Sequence, residues 1–240
     1  SGSGMVPHKD GFLVVGDDSA FLYEVDKHFK LKGTSLIEAY PTKQNGRIHK
    51  KIKPDFEAMA QFRRDHILWN MIIGSGSTPD TREFAYLIAA DSSLRHERKL
   101  GALYRQFSEL GGLTGKQHIN IEGLAVAGEE VFFLNRGNSA GNIIFRVALG
   151  EIYDYMTGKI ERLEKIKKYN VRLPVVDGNE AGLSGADFWP EIDALIYTAS
   201  IEASNNAYDD EKILSSFIGL IRLDSLQDGQ LLDLSNSAQK

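Results

Sequence analysis

Short apolar runs separated by turn residues recur along the whole chain. Each run is rich in β-branched and aromatic residues and ends in small, polar or acidic residues, as in "GFLVVGDDS" at 11–19 and "EVFFLNRGNS" at 130–139. A second apolar run follows after a short gap, for example "AFLYEVD" at 20–26 and "NIIFRVAL" at 142–149. This pattern predicts antiparallel β-strands joined by tight turns.

A short motif precedes each pair of apolar runs. It begins with Ser or Glu, continues with Gly or Ala, and ends in apolar or small residues. Its copies recur at intervals of roughly 60 residues, which indicates an internal structural repeat. The four copies are "SGMV" at 3–6, "EAMA" at 57–60, "EGLA" at 122–125 and "SGAD" at 184–187.

Four-stranded antiparallel units in tandem are typical of β-propeller blades. We therefore predict an all-β fold, a single propeller domain over 1–240, with "GQLLDLS" at 229–235 as a further strand after the fourth pair of runs. A β-sandwich or a solenoid is the alternative. The next repeat is expected just past residue 240, so we expect a terminal blade to be lacking and the parent protein to have five blades. The predicted blades span approximately 1–41, 55–110, 119–173 and 182–240.

Two segments depart from the strand pattern and predict short helical insertions. Apolar residues recur at helical spacing in blade two, and "GEIYDYMTG" at 150–158 is a second candidate in blade three. The residues at helical spacing are Leu100, Leu103, Tyr104, Phe107 and Leu110.

The first residues of the four motifs are Ser3, Glu57, Glu122 and Ser184. Because the first strand of a propeller blade lines the central channel, these residues are expected to form a ring around the axis. Carboxylates that converge there repel one another unless a cation or a donor lies between them. Oxygen ligands without Cys favour calcium, and Glu57, Glu122 and Asp187 are the candidate metal ligands. Backbone N–H donors from neighbouring blades are the alternative partners of the two glutamates.

A second polar group follows the second strand of each predicted blade. Asp, Asn and Ser are common in turns, so turn formation alone also explains each of them. Their density at one end of the blades predicts a polar channel mouth that binds a small or polymeric ligand. Arg136 suits a carboxylate or phosphate group, with a salt bridge to an adjacent acid as the alternative. The candidate ligand-binding residues are Asp17, Asp18, Asn135, Arg136, Asn138, Glu202, Asn205 and Asn206.

Composition narrows the partners of the protein. The net charge is −5 and no basic patch is interleaved with aromatic residues, so we expect no nucleic-acid partner. The absence of Cys excludes disulfides and zinc thiolates. No apolar run is long enough to span a membrane, and we expect a monomer.

The blade motifs carry a family resemblance. The succession "SGMV", "PDFEAMA", "NIEGLAV" and "GLSGADFW" resembles the propellers known as SdiA-regulated proteins. The stretches "VVGDDSAFLYEVD" and "FLNRGNSAGNIIF" are similar to a related bacterial group known only as a domain of unknown function, often exported. The motifs resemble those of phytase-like and lactonase-type calcium propellers more distantly. The resemblance implies a five-bladed propeller and a periplasmic or secreted location.

Two functional classes stay open from the sequence. The first is a non-enzymatic propeller that binds a ligand at its polar mouth, with a structural calcium ion. The second is a calcium-dependent hydrolase of the phytase or lactonase type, which would need a general base near the metal. No histidine has metal-site spacing, so the sequence favours the binding protein without deciding whether there is catalysis.

Overall fold

The computed structural model describes residues 2–137, 141–202 and 213–236. Four antiparallel sheets follow one another along the chain as the blades of a propeller ring, which confirms the predicted fold class. Each sheet starts with an inner strand, and the inner strands of consecutive blades lie against each other. The axis of the ring is therefore lined by the repeated motif.

The first two blades are four-stranded meanders. In blade two, Asp65 and His66 form the two-residue turn between the first two strands, and their φ angles are 51° and 64°. Positive φ at both positions is the turn conformation that matches the twist of a hairpin. The strands are β1 (Gly2–His8), β2 (Gly11–Gly16), β3 (Phe21–Asp26) and β4 (Leu31–Leu36) in blade one, and β5 (Phe56–Arg64), β6 (Ile67–Gly74), β7 (Phe84–Ala89) and β8 (Arg95–Lys99) in blade two.

The third and fourth blades contain the remaining strands and the helices, apart from one short two-stranded ribbon between them. Blade three follows helix α1 (Gly101–Gly111) and consists of β9 (Ile121–Ala127), β10 (Glu130–Asn135), β11 (Asn142–Ala148), helix α2 (Leu149–Met156) and β12 (Ile166–Arg172). The ribbon consists of β13 (Val175–Val176) and β14 (Asn179–Glu180). Blade four consists of β15 (Gly182–Trp189), β16 (Ala194–Glu202) and β17 (Ile213–Arg222). The last strand is β18 (Leu231–Asp233).

The strand predicted at 229–235 lies in a different blade from the one expected. β18 pairs in parallel with β12 at the outer edge of blade three, with Leu232 opposite Val171. Leu232 is buried there in the core between blades three and four. Asp233 forms an ion pair with Arg172 at 2.9 Å. The segment pairs with the free edge of β12 and buries Leu232 in the apolar pocket beside that edge. Both the backbone pairing and the burial stabilise this position.

Apolar cores fill the spaces between consecutive blades. Separate clusters lie between blades one and two, two and three, and three and four. Both predicted helices are confirmed, and both pack on the core between blades two and three. Phe107 of α1 stacks on Phe145 with ring centroids 4.3 Å apart, while Leu110 on the same helix is 39% exposed. The helices therefore enlarge the middle core of the ring.

The two end blades leave one side face exposed. Blades two and three have an apolar core on both sides, whereas the outer faces of blades one and four carry exposed large apolar residues. The ring is consequently most tightly packed at its two middle blades. The exposed residues are Met5, Phe21, Phe29, Leu31 and Leu36 in blade one, and Trp189, Ile213, Leu214, Ile218 and Leu220 in blade four.

Truncation of Phe107 tests the contribution of α1 to the core. Phe107→Ala removes a fully buried ring, so we expect a loss of about 3–5 kcal/mol in the free energy of unfolding. Leu110→Ala on the exposed side of the same helix is the control, with an expected loss below about 1 kcal/mol. Urea unfolding followed by circular dichroism measures both, and equal losses would contradict the packing of α1.

Candidate functional site

Each of the four aligned motif positions is the extra residue of a β-bulge. In blade two, Phe56 pairs with Gly74 and Ala58 pairs with Ile73, so Glu57 between them has no partner on β6. The registers of the other three inner strands shift at the equivalent place, which leaves Ser3, Glu122 and Ser184 unpaired. A bulge turns a side chain away from the regular alternation of its strand. The predicted ring therefore has a common backbone cause.

The small residue after each bulge lies where inner strands approach closely. A Cβ atom added to Gly4 would come within 2.8 Å of the Cβ atom of Met59 on the next inner strand. A Cβ atom added to Gly123 would lie 3.0 Å from the carbonyl carbon of Gly185. Such distances are shorter than atomic contact, so glycine permits the approach. The predicted crowding near the axis is confirmed at these two positions.

Glu57 is the least compensated group of this ring. Its side chain is largely buried, and its carboxylate accepts no hydrogen bond and forms no ion pair with any residue in the described parts of the chain. Burial raises the pKa of Glu57 to about 9, and the negative charge of nearby Glu122 adds to this effect. A carboxylate in this setting is stable only with a proton or with a cation beside it.

Asp55 and Asp17 lie next to Glu57 but have cationic partners. One oxygen from each of the three carboxyl groups falls within 4.8 Å of the others. The Lys53 ammonium bridges the two aspartates, at 2.8 Å from Asp17 and in direct contact with Asp55. Arg82 donates to the second oxygen of Asp55 at 2.8 Å. The two aspartates are thus neutralised from within the protein.

Hydroxyl groups and backbone bonds fix Asp55 in place. Ser75 Oγ donates to the Asp55 carboxylate at 2.6 Å, and Ser77 Oγ donates to it at 3.2 Å. Asp55 itself has a φ of 55°, a left-handed conformation that is uncommon for a residue with a side chain. The Ser75 carbonyl accepts the backbone N–H of Ile121 at 2.8 Å, which joins blade two to blade three.

Glu122 has partners within blade three. Asn120 Nδ2 donates to the Glu122 carboxylate at 2.8 Å, and the Arg136 guanidinium lies 3.6 Å from its other oxygen. Arg136 is buried, and it also donates to Ser200 Oγ of blade four at 3.3 Å. Asn135 Oδ1 accepts the backbone N–H of Asn120 at 2.7 Å. The salt-bridge alternative for Arg136 is therefore present in the structure.

The structure distributes the predicted site residues over several places. Asp18 forms an ion pair with Arg47, and Asp187 lies exposed on β15, where it accepts the N–H of Phe188. The group of carboxylates within 4.8 Å shares only Glu57 with the predicted metal ligands Glu57, Glu122 and Asp187. Asn138, Asn205 and Asn206 lie outside the described residues, as does the side chain of Glu202.

Sequence reasoning missed Lys53 and Arg82. Both lie outside the repeated motif, and neither has an equivalent residue in the other motif copies. Lys53 belongs to the connection before β5, and Arg82 to the connection before β7. Only their three-dimensional contacts with Asp55 identify them as part of the site.

Comparison with known proteins identifies a family, and 16 chains of solved structures also match. A family model described as "Family of unknown function (DUF6929)" matches residues 1–240. It agrees with the predicted resemblance to a group of unknown function and gives no support to the resemblance to SdiA-regulated or phytase-like propellers. A search of the curated proteins found no match.

The solved structures include the tail fiber of Staphylococcus aureus phage P68, which is 13% identical to this chain with a TM-score of 0.30. The alignment covers 82% of this chain and 36% of the tail-fiber chain, so this chain spans little more than a third of that protein. A similarity with this TM-score supports no inference about the fold or the function of this chain. None of the helices in the described part of the chain is both long and apolar enough to cross a membrane.

The uncompensated charge of Glu57 predicts a pH dependence of stability. The pKa of Glu57 is about 9 in the folded protein and 4.5 ordinarily, so folding is favoured when Glu57 is protonated. Its contribution to stability is complete below about pH 4.5 and is lost as the pH rises to about 9. Glu57→Gln stays neutral, so in chelator we expect it to be more stable than the wild type at pH 8, by at least about 1 kcal/mol.

Chemical unfolding across the pH range measures this difference, which should vanish towards pH 4. Asp187→Asn, which removes an exposed acid from another inner strand, is the matched control and should leave the pH dependence unchanged. A Glu57→Gln protein that tracks the wild type at every pH would contradict the assignment of the charge to Glu57.

Proposed function

We propose that this chain, which belongs to the DUF6929 family of unknown function, is a non-enzymatic binding propeller that holds a calcium ion at Glu57. The ion lies at the polar axial end of the ring and offers its open coordination positions to a small or polymeric ligand. The binding site consists of Glu57 on the bulged strand β5, Asp55 just before this strand, and Asp17 just after β2 of blade one.

One observation carries the proposal: Glu57 is the uncompensated carboxylate of the axial cluster. Glu57 forms no ion pair with any described residue, whereas each of the three neighbouring carboxylates has a cationic partner. A bound cation would supply the missing positive charge. The compensated pairs are Asp17 with Lys53, Asp55 with Lys53 and Arg82, and Glu122 with Arg136.

The ligand atoms available at this place favour a hard cation. Asp17, Asp55 and Glu57 each offer a carboxylate oxygen, and these oxygens lie within 4.8 Å of one another. Calcium accepts six to eight oxygen ligands in flexible geometry at about 2.3–2.6 Å, including water and ligand oxygens. The ion would compete with the Lys53 ammonium for the two aspartates, since Lys53 now lies between them. A weak site of the extracellular kind follows, which suits the periplasmic or secreted location that we propose with it.

Calcium titration tests the proposal. We expect calcium chloride to raise the melting temperature of the wild type and to give a saturable calorimetric signal, with magnesium much weaker because it demands a smaller octahedral site. Glu57→Gln should lose at least about tenfold in calcium affinity, or the response altogether. Chelator should reverse the shift.

Asp187→Asn serves as the control for this titration, because it removes another acid from an inner strand but lies outside the carboxylate group. It should bind calcium like the wild type. The calcium site would be overturned if calcium neither raised the melting temperature of the wild type nor gave a calorimetric signal. Full calcium affinity in the Glu57→Gln protein would overturn it as well. Calcium-dependent hydrolysis of phosphoesters or lactones, lost in Glu57→Gln, would replace the binding role with an enzymatic one.

A further inference from the structure

A cleft of about 360 Å³ lies between blades one and two, away from the axial carboxylates. Its walls come from all four strands of blade one, and from β6 and the end of β7 in blade two. This volume lies at the lower end of the range of small-molecule sites, which is about 300–1,000 Å³. The cleft can therefore admit a compact ligand.

Asn70 is a buried polar side chain in the wall of this cleft. It is 1% exposed, and it sits in the middle of β6 at a position that strands normally fill with an apolar residue. Its Oδ1 atom accepts a hydrogen bond from Gln61 Nε2 at 2.9 Å. Its Nδ2 atom has no acceptor among the described residues. Nδ2 is not one of the fully buried atoms without a partner, so it is open to the cleft, where a ligand or water can accept from it.

The floor of the cleft is apolar and its rim is polar with mixed charge. Leu13 and Leu22 contribute the buried floor. On the rim, the Glu24 carboxylate forms an ion pair with the Lys9 ammonium at 2.9 Å and lies 3.9 Å from His8 Nε2. The hydrogen bond from Lys9 lowers the pKa of Glu24, which is therefore ionised at neutral pH.

The remaining rim groups are hydroxyls and the carboxylate of Asp91, and they complete a mixture of donors and acceptors. Thr34 and Ser35 lie on the blade one side, and Ser92 lies on the blade two side. Glu24 and Lys9 offset each other, and the carboxylate of Asp91, which accepts hydrogen bonds from Ser93, disfavours an anionic ligand. A hydroxyl group both donates and accepts, and it can thus serve Asn70 and the rim equally well.

We propose that this cleft binds a neutral, hydroxyl-rich small molecule of monosaccharide size. One hydroxyl or ring oxygen accepts from Asn70 Nδ2, other hydroxyls bond to Glu24 and the rim, and the C–H face of the ring packs on Leu13 and Leu22. The site is independent of the axial calcium site, because it contains none of the axial carboxylates.

Two larger clefts lack this combination. One, of about 630 Å³, is lined by charged residues such as Arg98 and Glu161, which pair with each other. The other, of about 740 Å³, includes Gln106, whose amide exchanges two hydrogen bonds with the backbone of Leu163. Arg98 Nε is buried without a hydrogen-bond partner, but its guanidinium is already paired with Glu161, whereas Asn70 Nδ2 has no acceptor among the described residues.

Ligand-observed NMR and thermal shift on the full chain test the proposal. Saturation transfer from the protein to D-glucose, D-galactose, D-mannose and D-ribose is measured in chelator, with L-leucine and valerate as zwitterionic and anionic probes. We expect at least one monosaccharide to bind and to raise the melting temperature, and both charged probes to give no signal. Asn70→Leu should weaken that binding by about tenfold or more, because it removes the central donor.

Glu24→Gln on the exposed rim is the second variant, and it keeps the test decisive if Asn70→Leu does not fold. It should weaken binding by a few-fold, while Glu161→Gln in the neighbouring cleft should leave it unchanged. Failure of all four sugars to bind at millimolar concentration would overturn the proposal. Preferential binding of L-leucine or valerate, or sugar binding that neither variant weakens, would overturn it as well. None of these outcomes bears on calcium binding at Glu57.

Discussion

The close approach of the inner strands is the constraint on which the axial region depends. Gly4 lies against Met59, and Gly123 lies against the backbone of Gly185, at distances where a Cβ atom would collide. Small residues at these positions let the strands meet, and an extra residue before each of them leaves the hydrogen-bonded ladder. Strand crowding and the bulge are thus two aspects of the same packing, and together they determine which side chains point towards the axis.

Charge at the axis is the consequence of that packing. A carboxylate on a bulge beside a neighbouring inner strand loses much of its hydration and lies close to the equivalent acid of the next blade. Residues outside the repeat offset most of this cost: Lys53 and Arg82 serve the aspartates, and Arg136 serves Glu122. Glu57 remains uncompensated among the described residues, so the cost of burying its charge is not offset there.

The repeat made the blades and the ring predictable, because each blade of a β-propeller packs in the same way and therefore requires a similar sequence pattern. Both helices also followed from apolar periodicity. The partners of the acids did not follow, since Lys53 and Arg82 come from connections that are unique to one blade. The position of β18 could not be predicted either, because its parallel pairing with β12 depends on a free edge and a pocket for Leu232 that arise only in the folded chain.

The identity of the bulge residue follows the packing around the ring. Glutamate occupies the position in blades two and three, whose apolar cores lie on both sides, and serine occupies it in blades one and four, whose outer faces are exposed. Electrostatic interactions strengthen where water is excluded, so a carboxylate attracts a cation most strongly in the middle of the ring. The fourfold repeat therefore has one electrostatic centre, between β5 and β9, and the asymmetry of the acids is as much a part of the site as the symmetry of the bulges.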